Sequence, residues 1–295
     1  MEPIQFQDEN GGCLTLLEDA GYYFGPNVQP EHIINLQNFK ARPDDTLVVT
    51  FPKSGTHWLN EITSMLVNRY RNLSPDTMKH LEYLPVDVLD ELPSPRVLCT
   101  HLPYPRIPLD FLRKRCKIIV CLRNPRDIAV SYFKFITNLK AWNYSGYWDG
   151  FFQLFLNGNI PYNSWFEHTD TWLKVARVGK HNVHVVFYEA FQADFKTAVT
   201  QLSDFLGISH TGEFIDDVHR ETSFQNMKQN KEDYTLVLSK DGKSPIYRKG
   251  EVGDWMNWFT PEQIHLMDQE MEAWGLHLEP RIMYTLDTEE DSGST

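Results

Sequence analysis

The chain has 295 residues, enough to bury a full hydrophobic core without disulfide support. Its 41% hydrophobic content and 8 tryptophans fit a compact enzyme, whereas a formal charge of −12 argues against broad binding to nucleic acid or to anionic membranes. A local cationic pocket stays compatible with that balance.

The N-terminal Met1–Glu9 stretch has neither a basic region nor an apolar run, and no segment approaches the length of a membrane span. A cytoplasmic protein is expected. Cys13, Cys99, Cys116 and Cys121 form no CxxC pair, and Cys121 sits in an apolar run as a small core residue. Residues 1–45 mix turn formers with scattered aromatics such as Tyr22, Tyr23 and Phe24, which predicts an N-terminal arm packed over the core. The arm is assigned to 1–29, the main domain to 30–282, and an acidic, disordered tail to 283–295.

Thr46–Phe51 is apolar and β-branched without alternation, the pattern of a strand buried on both faces. It runs into Pro52-Lys53-Ser54-Gly55-Thr56-His57-Trp58, after which Trp58, Ile62, Met65 and Leu66 recur at helical spacing. A strand that turns through glycine into a helix aims free amides and the positive helix end at one point, a ready anion site. The lysine precedes the glycine here, so the turn is P-loop-like and is not a Walker loop.

Further along, Arg96–His101 predicts a second strand ending in a histidine, and Cys116–Leu122 a third that leads through Arg123-Asn124-Pro125 into a helix. Asn124 suits the cap and Pro125 the first turn. Lys140–Ser164 is aromatic and irregular. A helix with Trp165, His168, Trp172 and Val175 on one face follows, then a fourth strand, His181–Tyr188, and an amphipathic helix to Gly207. His181 and His184 fall on opposite strand faces, which argues against a metal site. Glu221–Gly253 breaks the rhythm as a long functional loop, and a last helix starts near Thr260. Alternating strands and helices predict a single α/β domain whose central sheet, mainly parallel, is flanked by helices. Ligands then sit beyond the carboxyl ends of the strands, where Lys53, His101, Arg123 and Tyr188 converge.

Three motifs together resemble the cytosolic sulfotransferases: Thr50–Trp58, Arg123–Ser131 and Arg248–Trp255. The resemblance implies transfer of a sulfuryl group from 3′-phosphoadenosine 5′-phosphosulfate (PAPS, leaving PAP) to the hydroxyl or amine of a small acceptor, without metal. It implies that Lys53, Ser54, Gly55, Thr56 and His57 hold the 5′-phosphosulfate, and that Trp58 stacks on adenine with Phe224 on its other face. Arg123, Ser131, Arg248, Lys249 and Gly250 would hold the 3′-phosphate, and Tyr188, Thr222 and Met227 add further nucleotide contacts. His101 would act as general base and Lys53 would stabilise the leaving oxygen. Taken singly, Arg123 reads as an ion-paired arginine, Trp58 as core and Tyr188 as a strand end; the three motifs together assign them.

Trp142, Tyr144, Trp148 and Phe152 are expected to wall an apolar or phenolic acceptor pocket. Three departures from the family pattern stand out. Cys99 replaces a usual lysine, removing one cation near the sulfate. His57 replaces a usual threonine, so its charge state is expected to tune cofactor affinity between about pH 5.5 and 8. Met256–His265 lacks the Lys, Val and Glu of the family's dimer signature, which argues against that dimer contact. A nucleotide kinase or other phosphotransferase, and a catalytically silent nucleotide or hydrophobic-ligand binder, remain alternatives on sequence alone.

Overall fold

A computed structural model of the chain describes residues 1–73 and 78–278; the predicted tail at 283–295 lies outside the described residues. Four strands form the central sheet: β4 (Thr46–Thr50), β5 (Val97–Thr100), β6 (Lys117–Leu122) and β7 (Val183–Phe187). Their order is β5-β4-β6-β7 and every pairing is parallel, with Val48 opposite both Cys99 and Ile119. Parallel neighbours require long crossovers, and helices supply them.

All five residues of β4 are buried, and alternation divides them between two cores. Leu47 and Val49 join Phe51, Leu98, Val120, Ile128, Tyr132 and Phe155 on one face. Val48 joins Leu59, Ile62, Met65, Ile119, Val199 and Leu202 on the other. An unalternating apolar run is therefore what this position demands, since neither face meets water.

Helix Thr56–Asn68 begins where the β4 turn ends, and helix Pro125–Asn138 where β6 ends. Asn124 caps the second helix, its side chain accepting the Arg126 N–H at 3.0 Å, and Pro125 occupies the first turn as expected. Helix Trp165–Val178 packs beside β7. The final helix, Pro261–Ala273, starts with a reciprocal cap between Thr260 and Gln263.

The structure departs from expectation in four places. The N-terminal arm is an antiparallel meander of β1 (Glu2–Gln7), β2 (Cys13–Asp19) and β3 (Tyr22–Phe24). Leu14 and Leu16 point into the core at period two, and the two-residue turn Ala20-Gly21 has positive φ at both positions, as a tight hairpin requires. The irregular aromatic segment contains a helix, Trp148–Leu156, because Trp148, Phe151, Phe152 and Phe155 recur at i, i+3, i+4 and i+7. Tyr188 opens helix Tyr188–Ala193 instead of closing β7, and Asp194 separates that helix from Phe195–Leu206 by accepting the Thr197 N–H at 3.1 Å. The predicted long loop carries two helices, Phe224–Lys231 and Asp233–Leu236, before it turns irregular. Among the described residues no helix is long and apolar enough to cross a membrane.

Candidate active site at the carboxyl edge of the sheet

Lys53 and Gly55 both have positive φ, 70° and 90°, so the chain curls as it leaves β4 and brings successive amides toward one side. Gly55 has a second reason to be glycine: a Cβ there would lie 2.7 Å from the Tyr188 ring. The turn opens onto a cavity of about 920 Å³. Lys53, Gly55, Thr56, His57, Trp58, His101, Arg123, Ser131, Tyr188, Thr222, Phe224, Met227, Arg248, Lys249 and Gly250 all line it. Ser54 lies behind the wall, its hydroxyl buried without a partner among the described residues.

The three motifs meet because carboxylates and carbonyls tie them together. Arg123 donates to the Lys53 carbonyl at 2.9 Å and to the Glu251 carbonyl at 3.1 Å, and its guanidinium lies 4.3 Å over the Tyr188 ring. Asp127, one turn on, accepts the Gly253 N–H at 2.8 Å and the Trp255 N–H at 3.0 Å. Buried Glu189 accepts the Asn124 N–H at 2.8 Å and so fixes the corner where Tyr188 sits. Lys231, paired to buried Glu61 at 2.6 Å, holds the helix bearing Phe224 and Met227 against the Thr56 helix.

Charge concentrates here against the sign of the whole chain. Lys53, Arg123, Lys140, Arg248 and Lys249 line the cavity, with Glu251 as the acidic residue of that wall among the described residues. Burial first, then Arg123 and Arg248, pull the Lys53 ammonium down to about 7. Its Nζ rests 4.2 Å over the Phe135 ring and 3.4 Å from the Pro245 carbonyl. Arg248 and Lys249 share Asp254 at 2.7 and 2.5 Å, and these contacts hold that carboxyl below its usual range despite burial. The Arg123 Nε is buried with no partner among the described residues.

His101 stands at the end of β5. Its Nδ1 is 2.8 Å from the Thr50 carbonyl and 3.1 Å from the Thr50 hydroxyl, which lies 2.7 Å from the Thr56 hydroxyl. A carbonyl only accepts, so Nδ1 carries the proton and Nε2 keeps a free lone pair. Burial and the neighbouring His80 push the imidazole well below its ordinary range, which keeps that lone pair available at neutral pH.

Several expectations are corrected by this geometry. His57 is driven down to about 3 by burial and by Lys53, so it is neutral between about pH 5.5 and 8 and is not the source of a pH response there. Cys99 does not face the cavity; its thiol bonds Asn60 Oδ1 at 3.0 Å, and burial raises its pKa. Of the four aromatics expected to wall the acceptor pocket, Trp142 lines the cavity. Tyr144 instead bonds buried Asp8 at 2.6 Å, Trp148 packs on Trp258 and Phe259, and Phe152 packs on Phe259. Tyr144 and Phe152 belong to the core, and Trp148 packs against it from the start of its helix.

His80, Glu82, Tyr83 and Tyr162 were not picked out from the sequence. Glu82 is fully buried and accepts the His101 backbone N–H at 2.6 Å, and the other three line the cavity. The single available signal was a His-Leu-Glu triplet, too common to assign.

The profile of the family described as Sulfotransferase domain matches residues 43–278. The chain belongs to the sulfotransferase family. It is 37% identical over 246 residues to sulfotransferase 1E1 of Bos taurus, covering 78% of this chain and 83% of that one. Sulfotransferase 1A1 of Rattus norvegicus is 35% identical over 262 residues, covering 83% of this chain and 88% of its own. The crystal structure of mouse sulfotransferase SULT7A1 complexed with PAP superposes with a TM-score of 0.77 at 32% identity, over 90% of this chain and 94% of that one.

Asp127 is the pin between the middle and late motifs of this sulfotransferase. Replacing it with Ala leaves two amides without their acceptor and should destabilise the fold by about 1–3 kcal/mol, read from urea unfolding. Faster amide hydrogen exchange at Gly253 and Trp255 is expected in the same variant; unchanged exchange there would contradict the pin.

Proposed function

We propose that this sulfotransferase takes PAPS as donor and transfers its sulfuryl group to the hydroxyl of a small, largely apolar acceptor. The observation that carries the reading is the convergence of Lys53, Arg123 and Arg248 on one cavity with the free Nε2 of His101 on the same wall. The group fits the residues present. Two buried polar atoms beside the turn, Ser54 Oγ and Arg123 Nε, lack partners among the described residues, and a Cβ at Gly250 would collide with the Phe224 ring, so the backbone there approaches closely. PAPS, when bound, supplies a sulfuryl group on a phosphate leaving group and a second phosphate at the 3′ position.

The chain's residues have separate tasks in the transfer. Lys53 and the amides of the turn bind the 5′ side, and Arg123, Ser131, Arg248, Lys249 and Gly250 bind the 3′-phosphate, where guanidinium forks meet oxygens in pairs. Trp58 and Phe224 border the adenine space; Tyr188, Thr222 and Met227 complete the nucleotide wall. His101 Nε2 accepts the acceptor's hydroxyl proton as the acceptor oxygen bonds to sulfur. The sulfur–oxygen bond to the phosphate breaks in line with that attack. Its electron pair stays on the phosphate oxygen, whose growing charge Lys53 offsets. The acceptor enters between Trp142, Phe135, Tyr83 and Tyr162, a setting for a ring rather than an extended chain.

The cytoplasm is the proposed compartment, supported by four cysteines that are all free thiols. Absence of the usual family dimer contact is proposed as well. Thr260 and Gln263, inside the segment that would carry the signature, are used internally: Gln263 donates to Asp149 at 2.9 Å and accepts from Trp148 Nε1 at 3.1 Å. Size-exclusion chromatography coupled to light scattering should return a monomer; a dimer lost on mutating Thr260–His265 would reverse this.

Replacing His101 by Ala should lower kcat with a phenolic acceptor by about 10²–10⁴ while PAP affinity is retained. A variant with near-normal turnover would remove His101 from the base role.

Lys53 sets the pH response. Its ammonium is lowered to about 7 in the free protein, so it is charged below that pH and neutral above it. Anions bind the charged form, so PAP affinity should fall as pH rises beyond about 7, by up to tenfold per unit, with proton uptake on binding. Calorimetry in buffers of different ionisation enthalpy reads that uptake, and Lys53→Met should abolish the slope.

A further inference from the structure

Beside His101 the cavity wall holds a second imidazole that the transfer step leaves without a task. His80 makes a parallel bridge with Cys99, and its ring centroid is 4.5 Å from that of His101. Its side chain is 3% exposed and lines the cavity. Nδ1 is 3.1 Å from Glu82 Oε2, while Nε2 is buried and has no partner among the described residues. The other oxygen of Glu82 accepts the His101 backbone N–H. One fully buried carboxylate thus positions both imidazoles.

The tautomer follows from donor and acceptor chemistry. A carboxylate offers lone pairs alone, so the shared proton sits on His80 Nδ1, and in the neutral ring Nε2 presents a lone pair. A buried acceptor without a donor is unfavourable, and a ligand that brings the donor relieves it. The nearby phenols do not fill this need: the Tyr83 and Tyr162 hydroxyls lie 3.1 Å apart and bond each other, and neither is within hydrogen-bond reach of His80 Nε2. Their rings flank the two imidazoles instead, Tyr83 at 4.9 Å from His80 and Tyr162 at 5.0 Å from His101.

We propose that His80 is a specificity residue of the acceptor site: its Nε2 accepts a hydrogen bond from a second donor on the acceptor, adjacent to the hydroxyl that faces His101. The favoured class is an aromatic ring with two neighbouring hydroxyls. Two imidazoles with centroids 4.5 Å apart are spanned by two adjacent substituents on one ring, each reaching its own nitrogen at hydrogen-bond length. Discrimination comes from the unpaired nitrogen that a ligand lacking the second donor leaves behind. The proposal rests on the sulfuryl-transfer reading of the cavity.

The test is calorimetric binding of catechol and of 2-fluorophenol to the full chain saturated with PAP; fluorine replaces the second hydroxyl by a small atom that cannot donate. The unmodified protein should bind catechol at least about tenfold more tightly, and His80→Phe should bring the ratio near one. Glu82→Gln gives a sharper reading. Its amide oxygen still accepts from His101 N–H, but its N–H₂ donates to His80 Nδ1 and forces the proton onto Nε2, so the preference for catechol should fall although the ring stays in place. His80→Gln, which keeps an acceptor oxygen, should retain part of the preference and serves if His80→Phe does not unfold cooperatively. A ratio near one in the unmodified protein, a ratio unchanged by His80→Phe, or binding of neither ligand would overturn the proposal. Sulfation of phenol, followed in parallel, reports on the transfer reading separately: its absence with the binding ratio intact counts against the reaction and leaves the role of His80 standing.

Discussion

Arg123 joins the parts that make this a site. Its guanidinium bonds the carbonyls of Lys53 and Glu251 while its central carbon lies 4.3 Å over the Tyr188 ring. The phosphate-type turn after β4, the end of β6, the corner after β7 and the late segment are thereby drawn to one place. Each of these pieces arrives from a different strand or loop, and no local propensity could align them. The planar, permanently charged group is suited to the task because it can satisfy two carbonyls along one edge and an aromatic face at the same time.

That arrangement also concentrates charge. An acidic chain gathers five basic side chains around a single cavity, and burial there, with Arg123 and Arg248 beside it, drives the Lys53 ammonium toward neutrality. The proposed nucleotide, with an anionic group on each side of its ribose, is expected to offset this cost, with proton uptake on binding. Asp127 and Glu189 accept backbone amides while burial pushes both carboxyls up, so they shape the wall, and Asp254 pairs with Arg248 and Lys249 and offsets part of their charge. The half of the cavity proposed for the acceptor differs in character. His80, His101, Tyr83 and Tyr162 border it, and Glu82 behind the wall accepts from the His80 ring and from the His101 backbone N–H.

The sequence by itself determined the central strand, its turn and the helix that follows. A residue run such as Thr46–Phe51, apolar without alternation, has no stable placement other than between two covering layers. Lys53, Gly55, Arg123 and His101 were legible because the strand ends that carry them are marked by proline, glycine and cap residues at short range. The hairpin of the N-terminal arm and the Trp148 helix were written in the same code, at period two and at i, i+3, i+4, i+7, but dense aromatic content hid the spacing.

Tertiary structure alone decided which side chains share the cavity. Tyr144, Trp148 and Phe152 resemble pocket-forming residues by type, yet Asp8, Trp258 and Phe259, more than a hundred residues away in sequence, claim them for the core. Cys99 turned toward Asn60, and His80 came to lie beside His101, through a bridge between segments nineteen residues apart. Burial and charge at a given atom are sums over neighbours from distant parts of the chain, so the protonation of Lys53, His57 and His101 follows from the folded arrangement and from no window of sequence.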